Sequence, residues 1–228
     1  VLAVNGVMAD VGDLAPGLHK LVDDNSGRRY SLWMPDDYET GQPIPLLVAL
    51  HYGGPVSPHY GAPLLTQLMV PAFGPSGMLM VAPDNNGQGW DNQTSEAEVM
   101  ALITLIRATF NVDAARIVLT GFSMGGIGTW YLAARQPDVF CAAIPVAGQP
   151  SDNLDEHALN LPVYVIHARH DEVLALAPTQ ELVERLKTGG ANVELRIDEQ
   201  LTHYEVTAYS TPLGHAVRWL ENNCQPQH

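Results

Sequence analysis

Residues 117–126 read Ile117-Val118-Leu119-Thr120-Gly121-Phe122-Ser123-Met124-Gly125-Gly126. The apolar, β-branched opening predicts a strand over Ile117–Thr120. The residues that follow predict a helix over Met124–Arg135, stopped by Pro137. Between them lies G-x-S-x-G, with Ser123 at the centre. Three fixed residues alone are a weak signal, because serine and glycine are common. The strand before and the helix after make it a specific one. A serine at so sharp a turn sits in strained backbone, and Gly121 and Gly125 let neighbouring chain pass without a Cβ. The hydroxyl is lifted to the carboxyl edge of the sheet, facing a helix N-terminus that stabilises developing negative charge. Gly126 and Gly128 would let that helix lie close to the sheet. The alternative is a glycine-rich turn with an incidental serine.

Working outward, the same strand-then-helix grammar repeats. Leu18–Asp23 and Arg28–Met34 flank Asp24-Asn25-Ser26-Gly27 and read as a β-hairpin. Leu46–Leu50 is a continuous apolar run, as in a strand buried on both faces, and it stops at His51-Tyr52-Gly53-Gly54-Pro55. Met78–Ala82, Ala142–Val146, Val163–His167 and Val193–Ile197 are further strands. Helices are expected from Ser95 to Phe110, with Ser95 as N-cap and Glu98 closing a capping box, and over Pro178–Lys187 and Pro212–Asn222. Gly87-Gln88-Gly89 reads as a turn. A hairpin followed by alternating strands and helices implies a mostly parallel sheet of about eight strands covered on both faces. No linker or repeat divides residues 1–228, so one domain is expected. The longest insertion, Gly148–Leu161, is too short for a lid domain.

Composition narrows the function. The chain has 228 residues, 46% hydrophobic and 16% charged, enough to build a core. No apolar run approaches the ~20 residues of a membrane helix. The formal charge is −14, from 25 acidic and 11 basic residues. That surface repels phosphate, which argues against nucleic-acid and anionic-membrane partners. No H-E-x-x-H is present and the histidines are scattered, so no metal site is expected, and neither a P-loop nor a G-x-G-x-x-G occurs. No leader is visible and the chain begins at Val1. Secreted or periplasmic is placed ahead of cytoplasmic. Cys141 and Cys224 are both expected at the amino end of the sheet, where a disulfide is geometrically allowed. Thiols are the favoured state.

A serine hydroxyl needs a base, and at such a turn the chain order is serine, acid, histidine. His203 follows the strand Val193–Ile197 and leaves the sheet at its carboxyl edge, so it is the expected base. His215 is the rival but sits in a helical run. His167 ends a strand and reads as a structural histidine, and His170 is given no catalytic part. The acid is expected just past Val163–His167, with Asp171 preferred and Glu172 the runner-up. The oxyanion hole should use the N–H of Met124 and a second N–H from the loop His51-Tyr52-Gly53-Gly54. Spacing does not choose between Gly53 and Tyr52. Tyr52, Trp90, Leu174 and Tyr204 are candidate substrate-binding residues near the same edge, as is Tyr60.

These residues carry a resemblance. Leu50-His51-Tyr52-Gly53-Gly54, Gly121-Phe122-Ser123-Met124-Gly125-Gly126, His167-Ala168-Arg169-His170-Asp171 and Thr202-His203 are similar to the motifs of single-domain α/β-hydrolase serine carboxylesterases. The likeness is to the polyhydroxybutyrate depolymerase, feruloyl esterase and phospholipase/carboxylesterase group, and runs from about Tyr30 to Leu220. It implies an α/β-hydrolase fold, no cofactor, and two-step acyl transfer with Ser123 as nucleophile, His203 as base and Asp171 as its partner. The ester substrates would be small molecules or polysaccharide-linked, including feruloyl or acetyl groups of plant cell wall. Members commonly have His-Gly before the oxyanion residue, where this chain has Tyr52. Dienelactone-hydrolase relatives carry a cysteine nucleophile, so Ser123 argues against that branch. Without a lid, soluble short-chain or aryl esters are expected substrates. A serine peptidase of the prolyl-oligopeptidase type and a non-catalytic binding module are the competing readings.

Overall fold

A computed structural model describes residues 2–4, 7–9, 14–85, 87–152 and 154–224. Among the described residues ten strands form one sheet: β1 (Leu2–Val4), β2 (Val7–Ala9), β3 (Gly17–Val22), β4 (Arg29–Met34), β5 (Ile44–Leu50), β6 (Leu79–Pro83), β7 (Val112–Phe122), β8 (Ala142–Val146), β9 (Val163–Ala168) and β10 (Val193–Asp198). Their order is β10-β9-β8-β7-β5-β6-β4-β3-β1-β2. From β10 to β6 every pairing is parallel. From β6 to β2 every pairing is antiparallel. The eight strands expected from sequence are β3 to β10, and the two three-residue strands at the start are additional.

Among the described residues the α-helices are α1 (Gly61–Leu64), α2 (Val70–Phe73), α3 (Gln93–Thr109), α4 (Met124–Arg135), α5 (Leu176–Thr188) and α6 (Ser210–Asn223). Side chains alternate across each strand, so the sheet has two apolar faces. Leu46, Val48, Leu50, Ile117 and Leu119 pack with Val99, Ile103 and Ile106 of α3, Trp130 of α4 and Leu182 of α5. Leu47, Ala49, Val118, Ile144 and Ile166 face the other way, against Leu64, Phe73, Leu213 and Leu220. Helices thus cover both faces, as the repeating pattern requires.

Three local features differ from the sequence reading. The cap of α3 is Asn92, whose side chain accepts from Ser95 N–H at 3.0 Å. Ser95 is instead buried in the first turn, and its hydroxyl donates to the Gly89 carbonyl at 2.7 Å. Glu98 pairs with Arg28 at 2.9 Å and closes no box. Second, residues 61–73 are helical, passing from α1 through a π turn at Leu65–Met69 into α2. Pro63 and Pro71 hide this helix from pattern reading, because proline removes a donor; the wider turn is one way a helix absorbs that loss.

The third difference concerns sulfur. Cys141 and Cys224 form a disulfide across 83 residues, joining the start of β8 to the end of α6. Cys141 immediately precedes β8, and α6 runs back along the sheet to its amino end. Among the described residues, no helix is long and apolar enough to cross a membrane.

Candidate active site

The turn from β7 into α4 places Ser123 at φ 56° and ψ −117°, a left-handed backbone that a side chain rarely adopts. Its N–H donates to the Val146 carbonyl at 2.9 Å, tying the strained residue to β8. The glycines are required by close approach. A Cβ on Gly121 would run into the Gly125 carbonyl, and one on Gly125 into the Leu50 carbonyl. G-x-S-x-G here is therefore a packing pattern around one lifted hydroxyl.

Three parallel strands deliver the partners. β10 leads into the connection that carries His203, and β9 into the one that carries Asp171. The Ser123 hydroxyl and His203 Nε2 are 2.8 Å apart. His203 Nδ1 and Asp171 Oδ2 are 2.7 Å apart. With Nδ1–H donating to the carboxylate, Nε2 is left to accept from the serine. Asp171 is oriented in turn: its Oδ1 accepts from the N–H groups of Val173 at 2.9 Å and Leu174 at 2.7 Å. The Asp171 side chain is fully buried. A hydroxyl, an imidazole and a buried carboxylate in this chain can move a proton from oxygen to nitrogen while the carboxylate stabilises the cation.

The rivals are held elsewhere. Glu172 Oε2 accepts from the backbone N–H of His203 at 3.0 Å and so grips its main chain. His215 lies on α6, with Nδ1 lacking a hydrogen-bond partner. His170 is exposed. His167 is buried, and its Nε2 donates to the Leu174 carbonyl at 2.8 Å. Burial pushes its pKa down, which keeps it neutral beside Asp171.

Met124 is the first residue of α4, so its N–H has no acceptor within the helix. The loop after β5 comes to it: a Cβ on Gly53 would stand 3.7 Å from Met124 Sδ. Tyr52 is half-buried in this loop, its ring 6.4 Å from Phe122 and 5.6 Å from Tyr60. Phe122 lies 5.4 Å from the His203 ring. Tyr204 stands 5.9 Å from the same ring and is 74% exposed. Leu174 contributes backbone, its N–H to Asp171 and its carbonyl to His167.

Trp90 does not line the cleft. It is fully buried and packs over Gly128, where a Cβ would collide with it. Its Nε1–H donates to the His51 carbonyl at 2.9 Å. This corrects its expected place and reveals a support not anticipated from sequence. His51 is buried, donates from Nδ1 to the Tyr52 carbonyl at 2.8 Å and accepts at Nε2 from Asn85 N–H at 3.0 Å. Burial lowers its pKa, so a neutral ring braces the 51–54 loop. The signal was the pairing of Trp90 with a glycine, at a distance in sequence that no local pattern spans. Tyr209 was also missed: it is buried 5.1 Å from Phe122.

A model of the dienelactone hydrolase family matches residues 85–205, just over half of the chain. The chain belongs to the dienelactone hydrolase family. The matched stretch contains Ser123, Asp171 and His203. The separation from that branch expected from the serine is thereby corrected, since serine stands at the elbow of a family member. Among relatives, the chain is similar to "Probable feruloyl esterase C" of Aspergillus niger, at 28% identity over 75% of this chain and 64% of that one. It is also similar to "Feruloyl esterase C" of Emericella nidulans, at 28% over 71% and 61%. It thus spans about three fifths of the length of these curated relatives. In fold it is similar to a thermostable esterase, with TM-score 0.75 and 23% identity over 91% of this chain and 63% of that one. A feruloyl esterase module of Clostridium thermocellum complexed with sinapinate gives TM-score 0.71 and 15% identity over 88% of each chain. The α/β-hydrolase fold of this family member is established by these likenesses.

Proposed function

We propose that this chain is a single-domain serine esterase that hydrolyses short-chain or aryl carboxylic esters through an acyl-enzyme. The observation that carries the reading is the continuous hydrogen-bond chain from Ser123 Oγ through His203 to Asp171, at 2.8 and 2.7 Å. Ser123 Oγ attacks the ester carbonyl as His203 Nε2 takes its proton. The N–H of Met124 and a donor from Tyr52 or Gly53 hold the resulting oxyanion. The carbonyl re-forms, the alcohol departs with the proton from His203, and Ser123 is left acylated. Water then attacks the acyl carbon, giving its proton to His203, and the carboxylic acid leaves as Ser123 recovers a proton.

The feruloyl esterase relatives, and similarity to a bifunctional acetylxylan esterase/xylanase of Neocallimastix patriciarum, at 29% identity over 43% of this chain and 15% of that one, favour feruloyl or acetyl esters of plant cell wall as substrates. The disulfide fits a secreted or periplasmic setting, where such bonds persist. The test is a panel of p-nitrophenyl esters from acetate to palmitate, with methyl ferulate, on the unmodified protein and Ser123→Ala. Turnover of the short esters is expected, falling by about 10⁴-fold or more in the variant. Hydrolysis of aminoacyl-peptides but no simple ester would replace this reading with a peptidase. Preference for emulsified long-chain triglyceride would overturn the short-chain assignment.

A further inference from the structure

Three large hydrophobic residues are exposed among the described residues: Val56 at 36%, Val173 at 46% and Tyr204 at 74%. A single exposed hydrophobic residue needs no explanation. These three do not scatter. Each lies on a loop that leaves the carboxyl edge and carries residues of the candidate site: Val56 beyond Tyr52 and Gly53, Val173 two residues past Asp171, and Tyr204 directly after His203. The edge around them is otherwise acidic. The connections 84–92, 169–175 and 199–205 hold Asp84, Asp91, Asp171, Glu172, Glu199 and Glu205 against Arg169 as the single basic residue apart from histidine. Arg169 is already tied to Glu199 by two bonds, at 2.7 and 2.8 Å.

Chemistry assigns a side to Tyr204. On the esterase reading, on which this inference rests, the proton on His203 Nε2 must pass to the departing oxygen as the carbon–oxygen bond breaks. The alcohol half of the ester therefore lies on the imidazole side of Ser123. The tyrosine ring meets the His203 ring at 5.9 Å and 83°. We infer that Tyr204 is the alcohol-side specificity residue, a platform that takes an uncharged ring carried by the leaving alcohol, aryl or glycosyl. The acyl half falls on the opposite side, toward Tyr52 and Met124. An uncharged ring follows from the surroundings, since an apolar face in an acidic edge repels a carboxylate and offers it no cation.

The experiment compares Tyr204→Ala and Tyr204→Phe with the unmodified protein on two series. One keeps the acetyl group and varies the alcohol: ethyl acetate, benzyl acetate and methyl 6-O-acetylglucoside. The other keeps ethanol and varies the acid: ethyl butyrate and ethyl cinnamate. Taking variant-to-unmodified ratios removes the intrinsic reactivity of each ester. Tyr204→Ala should lower kcat/KM about five- to tenfold for the benzyl and glucosyl esters, the size of one lost aromatic contact. Ethyl acetate and ethyl cinnamate should stay within about twofold, and Tyr204→Phe should keep the benzyl rate. Loss on the benzyl ester alone makes the ring an aryl one, and loss on the glucosyl ester alone makes it a sugar; either supports the platform. A uniform loss, a loss that follows the cinnamoyl group, or no loss overturns it. Absence of turnover in the unmodified protein overturns the esterase reading itself, a distinct result.

Discussion

The carboxylate of Glu172 accepts a hydrogen bond from the backbone N–H of His203 at 3.0 Å, while its neighbour Asp171 accepts from the ring of the same residue at 2.7 Å. Consecutive acids thus hold one histidine, one by main chain and one by side chain. Glu172 lies on the connection after β9 and His203 on the connection after β10, so the bond ties two loops together. We expect Glu172→Ala to lower kcat about tenfold with little change in KM, as the imidazole loses its fixed aim. Glu172→Gln keeps a carbonyl acceptor and should recover most of the rate. Equal loss in both variants would show that charge, not the backbone bond, is what matters.

The acidic carboxyl edge makes a prediction about substrate charge. The p-nitrophenyl hemisuccinate ester carries a carboxylate where p-nitrophenyl butyrate carries a methyl group. At low salt its kcat/KM should be about tenfold lower, and the gap should narrow as sodium chloride rises to about 0.5 M. A ratio that does not move with salt would mean that shape, not charge, discriminates.

Burial depresses the pKa of His51 and of His167 below the ordinary 6.5. The unfolded chain therefore takes up these protons first on acidification. Stability from the neutral rings is intact above pH 6.5 and is lost as pH falls from there toward the lowered folded values. The melting temperature should drop between about pH 7 and about pH 5, and the drop should be shallower in His51→Gln, which cannot titrate. Parallel melting curves in the two proteins would remove His51 from this account.

The disulfide spans 83 residues and pins the end of α6 to the start of β8. Closing so long a loop restricts the unfolded chain, and its loss should cost about 4 kcal/mol. Denatured, unreduced protein should show no titratable thiol. Reductant should lower the urea midpoint. Two titratable thiols before reduction would refute the bond.

Much of the site was legible in residue order. The elbow Gly121-Phe122-Ser123-Met124-Gly125 announces itself because strand, turn and helix follow one another directly in sequence, although the contact that requires Gly125 is the distant Leu50 carbonyl. The helix Met124–Arg135 has the predicted bounds for the same reason. Asp171 and His203 could be chosen because parallel strands return every connection of one kind to one edge. Uninterrupted apolar runs such as Leu46–Leu50 and Ala142–Val146 revealed the central strands, which are buried on both faces, while the turn between Leu18–Asp23 and Arg28–Met34 revealed the hairpin.

Other features depended on contacts between segments far apart in sequence. Trp90 reads as a cleft residue in a polar loop, and only the missing Cβ of Gly128 shows where its ring goes. Chain topology placed Cys141 and Cys224 at one end of the sheet, but only the packing of α6 beside β8 decides that they bond. The roles of Glu172 and His51 arise from main-chain groups on other loops, at His203 and Asn85, that composition cannot place. Local propensity and strand periodicity therefore determined the fold class and the residues to suspect. Long-range packing decided which of them meet, because a hydrogen bond across loops depends on positions that neither loop sets alone.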